Sequence, residues 1–107
     1  MKEIKAVVRP GKLDRINEAL RALPDFPGMV VSKAQRSGPG GSGSIRQVLT
    51  DFSEKVLIQI VCDDERVDAI VDCIVTEATS GSAGLGMVWV TPVERAVFFN
   101  KTFGPAG

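Results

Sequence analysis

The chain contains no histidine and no tyrosine, and only two cysteines in 107 residues. Without histidine, a Cys/His zinc site is excluded. Cys62 and Cys73 stand eleven positions apart, which rules out a Cys-x-x-Cys redox pair. Buried, reduced thiols are the expected state. Net charge is lacking too. Thirteen basic residues balance 13 acidic ones, so no charge-driven nucleic-acid or membrane surface is implied. No apolar run is long enough to span a bilayer. The opening Met1-Lys2-Glu3-Ile4-Lys5-Ala6-Val7-Val8 enters strand-like alternation at once, unlike a signal peptide, and makes the cytoplasm the default location. The length suits a single domain over residues 1–107 with one real core.

What the chain does have is glycine, concentrated in Ser80-Gly81-Ser82-Ala83-Gly84-Leu85-Gly86-Met87-Val88-Trp89-Val90. This stretch reads as a helix end, a loop and a strand start. Gly81, Gly84 and Gly86 permit positive φ and close backbone approach. Successive N–H groups in such a loop can form an anion-binding concavity. The bland alternative is a flexible connection whose first glycine ends the helix.

Taken in order, residues 2–9 alternate, with Ile4, Ala6 and Val8 on one side, as a strand does. Residues 12–23 place Leu13, Ile16, Leu20 and Leu23 at helical spacing. Pro24, Pro27 and Gly28 end that helix, and residues 29–34 form a second strand around Val30 and Val31. Residues 55–62 are the clearest strand, apolar on both faces and therefore central. Asp63-Asp64 is expected to supply an N-cap and early negative charge for a helix over 65–79. A fourth strand follows over 87–91, and residues 94–103 are expected to form a short helical turn and a tail. The predicted order is strand, helix, strand, strand, helix, strand. It implies an α+β, ferredoxin-like βαββαβ sandwich, with a four-stranded antiparallel sheet and both helices on one face. Leu57, Val61, Trp89, Phe98 and Phe99 then leave the other face too apolar for water, which predicts self-association.

Residues 36–54 differ from the rest. Their first part, Arg36-Ser37-Gly38-Pro39-Gly40-Gly41-Ser42-Gly43-Ser44, has no apolar side chain apart from its proline ring and is expected to be mobile. Ile45, Val48 and Leu49 restore apolar character in the second part. A long loop in a small domain is functional or disordered. Here it is expected to select one conformation on meeting a partner.

These features resemble the PII family of signal-transduction proteins. Ile4-Lys5-Ala6-Val7-Val8-Arg9-Pro10-Gly11-Lys12-Leu13-Asp14 resembles the family's first strand and helix entry. Phe52-Ser53-Glu54-Lys55-Val56-Leu57-Ile58-Gln59-Ile60-Val61 resembles the strand after its long T-loop. Ser80 to Gly86, followed by Val90, Pro92, Val93 and Glu94, resembles its B-loop and last strand. The resemblance implies a compact homotrimer with a small effector, an adenine nucleotide, held between subunits. It implies a T-loop, at 36–54 here, that carries the signal to a regulated protein such as a membrane transporter or an enzyme. By the same resemblance, Ser32 falls near the adenine, Gly38 at the T-loop base, and Ser80, Gly81, Gly84, Leu85, Gly86 and Met87 on the B-loop. Val61, Asn100 and Lys101 complete the nucleotide-binding set, and Lys55 falls on a lysine associated with 2-oxoglutarate. Ser42, Ile45, Arg46, Val48 and Leu49 are the expected partner-binding residues. No catalytic residue and no metal ligand is expected.

The departures are informative. Where the family B-loop reads Gly-Asp-Gly-Lys, this chain has Gly84-Leu85-Gly86-Met87, so the phosphate-binding lysine is gone. Two expected arginines are replaced by Phe98 and Asn100, and a glutamine that helps hold magnesium by Gly40. A charge-assisted hydrogen bond is roughly twice as strong as a neutral one, so ADP or AMP is expected to be favoured over ATP. With no tyrosine, T-loop uridylylation has no target. The chain therefore resembles a divergent PII-like protein. Phe26-Pro27-Gly28, before the second strand, resembles PII-like proteins associated with heavy-metal efflux, which gives the alternative of a PII-like or CutA-like protein linked to metal tolerance. No soft-ligand cluster supports metal binding itself. A ferredoxin-like acylphosphatase would need Arg9 and Asn17 in a motif context that is missing. RNA recognition would need more strand aromatics than Trp89 and a basic excess, so no nucleic-acid partner is expected.

Overall fold

The computed structural model of the chain describes residues 1–37, 52–81 and 86–99. Strand β1 spans Lys2–Val8, and a 3-10 turn at Pro10–Lys12 leads into helix α1, Leu13–Arg21. Strands β2, Val30–Ser37, and β3, Phe52–Cys62, follow. A second 3-10 turn, Asp64–Arg66, opens helix α2, Val67–Thr79, and β4 covers Met87–Pro92. The four strands form one sheet in the order β2-β3-β1-β4, and all three pairings are antiparallel. This is the expected ferredoxin-like arrangement.

Register explains the core. Ile4 lies opposite Ile60, Ala6 opposite Ile58 and Val8 opposite Val56, so the alternating apolar residues of β1 and β3 share a face. Ile16 and Leu20 of α1 and Ile70 and Ile74 of α2 close over it. Each fully buried aliphatic side chain contributes about 1.5–3 kcal/mol of transfer free energy. Both helices cover this one face and pack against each other over it.

The opposite face is built differently. Glu3, Lys5 and Val7 of β1 line up with Val61, Gln59 and Leu57 of β3. Lys5 pairs with Glu3 at 3.6 Å, and Gln59 Nε2 donates to Glu3 Oε2 at 3.4 Å. Around this polar strip stand half-buried Val7, Leu57 and Val61. Trp89, opposite Lys5, remains 37% exposed. Val97 and Phe99 are more exposed still, at 64% and 83%.

Several expectations need correction. β2 and β3 run further than their side-chain pattern indicates. Arg36 pairs with Ser53 and Ser37 with Phe52, so both ends of the expected 36–54 loop are ladder, held by backbone hydrogen bonds that ask nothing of side-chain polarity. Asp63 occupies the N-cap position but makes no side-chain capping bond. Its carbonyl accepts from Arg66 N–H at 3.0 Å, while Asp64 is drawn to the amino terminus of Met1 at 2.8 Å. Of the expected turn and tail over 94–103, residues 94–98 are irregular, Phe99 has 3-10 geometry and the rest lies outside the described residues. After Val93 N–H is tied to Met1 O at 3.0 Å, the segment runs irregularly toward the Val61 end of the sheet, where Phe98 shares cavity walls with that residue. Cys62 is buried as expected, but Cys73 is only half-buried, and both are free.

Candidate functional site

The glycine stretch lies at the sheet end where β1 finishes and β4 begins. Ser80 caps α2 in an extended conformation, and Gly81 follows at φ +79°, a left-handed position that stops the helix. Gly86 is fixed by contact. A Cβ there would sit 2.7 Å from the Val7 carbonyl oxygen, so the backbone passes where no side chain fits. Behind it is a small apolar recess of about 170 Å³ between Val7, Val8, Ile74, Val75, Met87 and Val88.

The helix end is also tied from outside. Lys12 Nζ donates to the Ser80 carbonyl and stands 3.5 Å from Ser80 Oγ. Arg15 Nη1 donates to the same Oγ at 3.2 Å, and that hydroxyl donates to Glu77 O at 3.1 Å. Neither cation was legible as part of this site from sequence, because 68 and 65 positions separate them from Ser80.

Of the expected nucleotide residues, Ser80, Gly81, Gly86 and Met87 are brought together here. Ser32 is not. It stands in one row with Leu57, Val7 and Met87 across the whole sheet, but on the opposite edge strand. Three strand spacings put Ser32 and Met87 about 14 Å apart. Val61 lies four residues along β3 from that row, another ~13 Å away. A cavity of about 540 Å³ does open beside Val61, walled by Gly28, Val30, Gln59 and Phe98. Val30, two positions from Ser32, is the β2 residue that faces it. Ser32 stands on the same side of the pleat as Val30, two residues further along β2.

Gly38, Gly84, Leu85, Asn100 and Lys101, and the partner-binding set Ser42, Ile45, Arg46, Val48 and Leu49, lie outside the described residues. Lys55 is 8% exposed, in a recess of about 470 Å³ with Pro10, Lys33, Gln35 and Glu54. Burial pushes the thiols of Cys62 and Cys73 above their usual pKa, with nearby carboxylates adding to the effect. Among the described residues, no group of three or more metal-ligating side chains converges, and no helix is long and apolar enough to cross a membrane.

A four-stranded antiparallel sheet with two helices, a glycine turn after the second helix and a long β2–β3 connection is the architecture of a ferredoxin-like, PII-type domain. The family model described as nitrogen regulatory protein P-II matches residues 1–102. The chain is 34% identical over 101 residues to the nitrogen regulatory protein P-II of Nostoc punctiforme, covering 91% of this chain and 89% of that one. It is 36% identical over 101 residues to the protein of the same name from Azospirillum brasilense, with the same coverage. This chain belongs to the P-II family.

Proposed function

We propose that this protein is a PII-like regulator that binds an adenine nucleotide between subunits of a homotrimer and controls a partner protein through the T-loop, the long β2–β3 connection. One observation supports this most directly. The expected nucleotide residues are divided between the glycine turn beside β4, at one edge of the sheet, and Ser32 on β2, at the other, with Val61 further along the inner strand β3. One chain cannot close such a site, but two neighbouring copies can, with the glycine turn of one facing the Val61 cavity of the next. The exposed apolar side chains on the helix-free face supply a reason for the copies to associate.

Met87 and Phe98 in place of cationic groups favour ADP or AMP over ATP. The signal passes through Ser42, Ile45, Arg46, Val48 and Leu49 to a regulated protein, with a membrane transporter as one fitting kind. Calorimetry with AMP, ADP and ATP, combined with light scattering, tests the whole reading. Three subunits at micromolar concentration and tighter binding of ADP or AMP than of ATP are expected. A stable monomer, or no nucleotide binding, would overturn it. Removing residues 38–44 is expected to leave the assembly intact and abolish partner binding.

A further inference from the structure

The basic side chains that converge on the end of α2 form no ion pair there among the described residues. Lys12 and Arg15 sit on successive turns of the α1 entry, and both reach Ser80 at the start of the glycine turn. Neither forms an ion pair with a carboxylate among the described residues, whose ion pairs lie elsewhere, at Asp64, Glu3 and Asp25. A helix C-terminus attracts cations, and Lys12 on the Ser80 carbonyl is enough to meet that attraction. Arg15 takes no carbonyl. It approaches the hydroxyl that Lys12 already neighbours and adds a second positive charge to the same atom. Two like charges gathered beside one neutral oxygen repel each other, and an anion between them would be favourable to both. Ser80 Oγ directs its own proton to Glu77 O, which leaves its lone pairs to the cations and its position fixed.

We propose that Lys12 and Arg15 form the phosphate-binding cations of this protein, holding a phosphate group of the nucleotide against the Ser80-Gly81 turn. This rests on the nucleotide reading above and changes where its charge comes from. The loop carries none, since Met87 occupies its end, and α1 supplies it instead. The arginine's planar fork suits two phosphate oxygens, and the lysine provides a point charge beside it. The ligand class is a phosphate monoester or diphosphate, with affinity tied to the number of phosphates rather than to the base alone.

The test compares adenosine, AMP, ADP and inorganic pyrophosphate on the full-length protein, its Lys12→Gln/Arg15→Gln variant and Arg15→Gln alone, which keeps the lysine on the helix end. Calorimetry and thermal shift are the readouts, and the charge-preserving Lys12→Arg variant is the control. In the double variant, ADP is expected to weaken by about tenfold or more, while adenosine is unchanged and Lys12→Arg binds like the parent. Equal ADP binding by parent and double variant would overturn the proposal and leave the nucleotide reading standing. Equal losses for ADP and adenosine would also overturn it, since they would mean that the cations only brace the helix end. If no nucleotide binds but pyrophosphate raises the melting temperature of the parent and not of the variant, the nucleotide reading falls and the anion site stands. If neither nucleotide nor pyrophosphate binds, both fall.

Discussion

The two faces of this sheet are made from the same strands and serve opposite ends. On the helix face, Ile4, Ile58 and Ile60 meet Ile16, Leu20, Ile70 and Ile74, and nothing polar enters. On the other face the neighbouring positions of the same strands hold Glu3, Lys5 and Gln59 in a hydrogen-bonded strip, ringed by half-buried aliphatics and an exposed tryptophan. Moving one residue along a strand moves from one regime to the other. The first face is finished within the chain and specifies the fold. The second, with a fixed polar centre and an apolar surround, has the make-up of a surface that is completed by another molecule.

The sharpest way to test that contrast is to alter adjacent residues. Ile58→Ala is expected to cost about 2–5 kcal/mol in urea unfolding, because it opens a cavity in a closed core. Leu57→Ala, one position away, should cost clearly less in the isolated chain and act mainly on subunit association. Equal unfolding costs would erase the distinction between the faces. Gly86→Ala comes next. Its methyl group would have to displace the Val7 carbonyl, and about 1–3 kcal/mol of destabilisation is expected by thermal melting, together with weaker nucleotide binding at the adjoining turn.

Trp89→Glu should perturb the single chain less, since Glu opposite Lys5 is a favourable cross-strand pair. Its main effect is expected in light scattering, as a fall in assembly mass. Unchanged mass would remove Trp89 from the association surface. The smallest effect concerns the sheet end away from the glycine turn. The hydrogen bond from the amino terminus holds the Asp64 carboxyl below its usual pKa. A depressed pKa stabilises the folded state above the unfolded value and ceases to do so as pH falls through the folded one. Parent and Asp64→Asn should therefore differ slightly near neutrality and converge in acid. Divergence on acidification would reverse the sign.

What was legible in the sequence was whatever repeats with the period of its element. Ile4-Ala6-Val8 and Val56-Ile58-Ile60-Cys62 announced two strands and their inner face, and Leu13-Ile16-Leu20 announced a helix. The outer end of β2 was not legible, since Gln35, Arg36 and Ser37 alternate nothing and are held only by their backbone pairing to Glu54, Ser53 and Phe52. The same holds within the site. Gly81 and Gly86 stood out by type, while Lys12 and Arg15 looked like ordinary solvated charges of an amphipathic helix. Only the docking of α1 beside α2 turns them onto Ser80.

The strand order has a consequence for how the chain is made. β1 lies between β3 and β4, so the first strand to be synthesised has one hydrogen-bonding edge that only the last strand can satisfy. Until residues 87–92 arrive, an edge rich in β-branched and apolar side chains stays open on a nascent sheet, available to any other unpaired strand. Closing it joins positions at the two extremes of the domain, a non-local step that slows folding relative to the local α1 and α2 turns. Truncation within β4 should therefore appear first as aggregation during synthesis, before it appears as a weaker version of the finished protein.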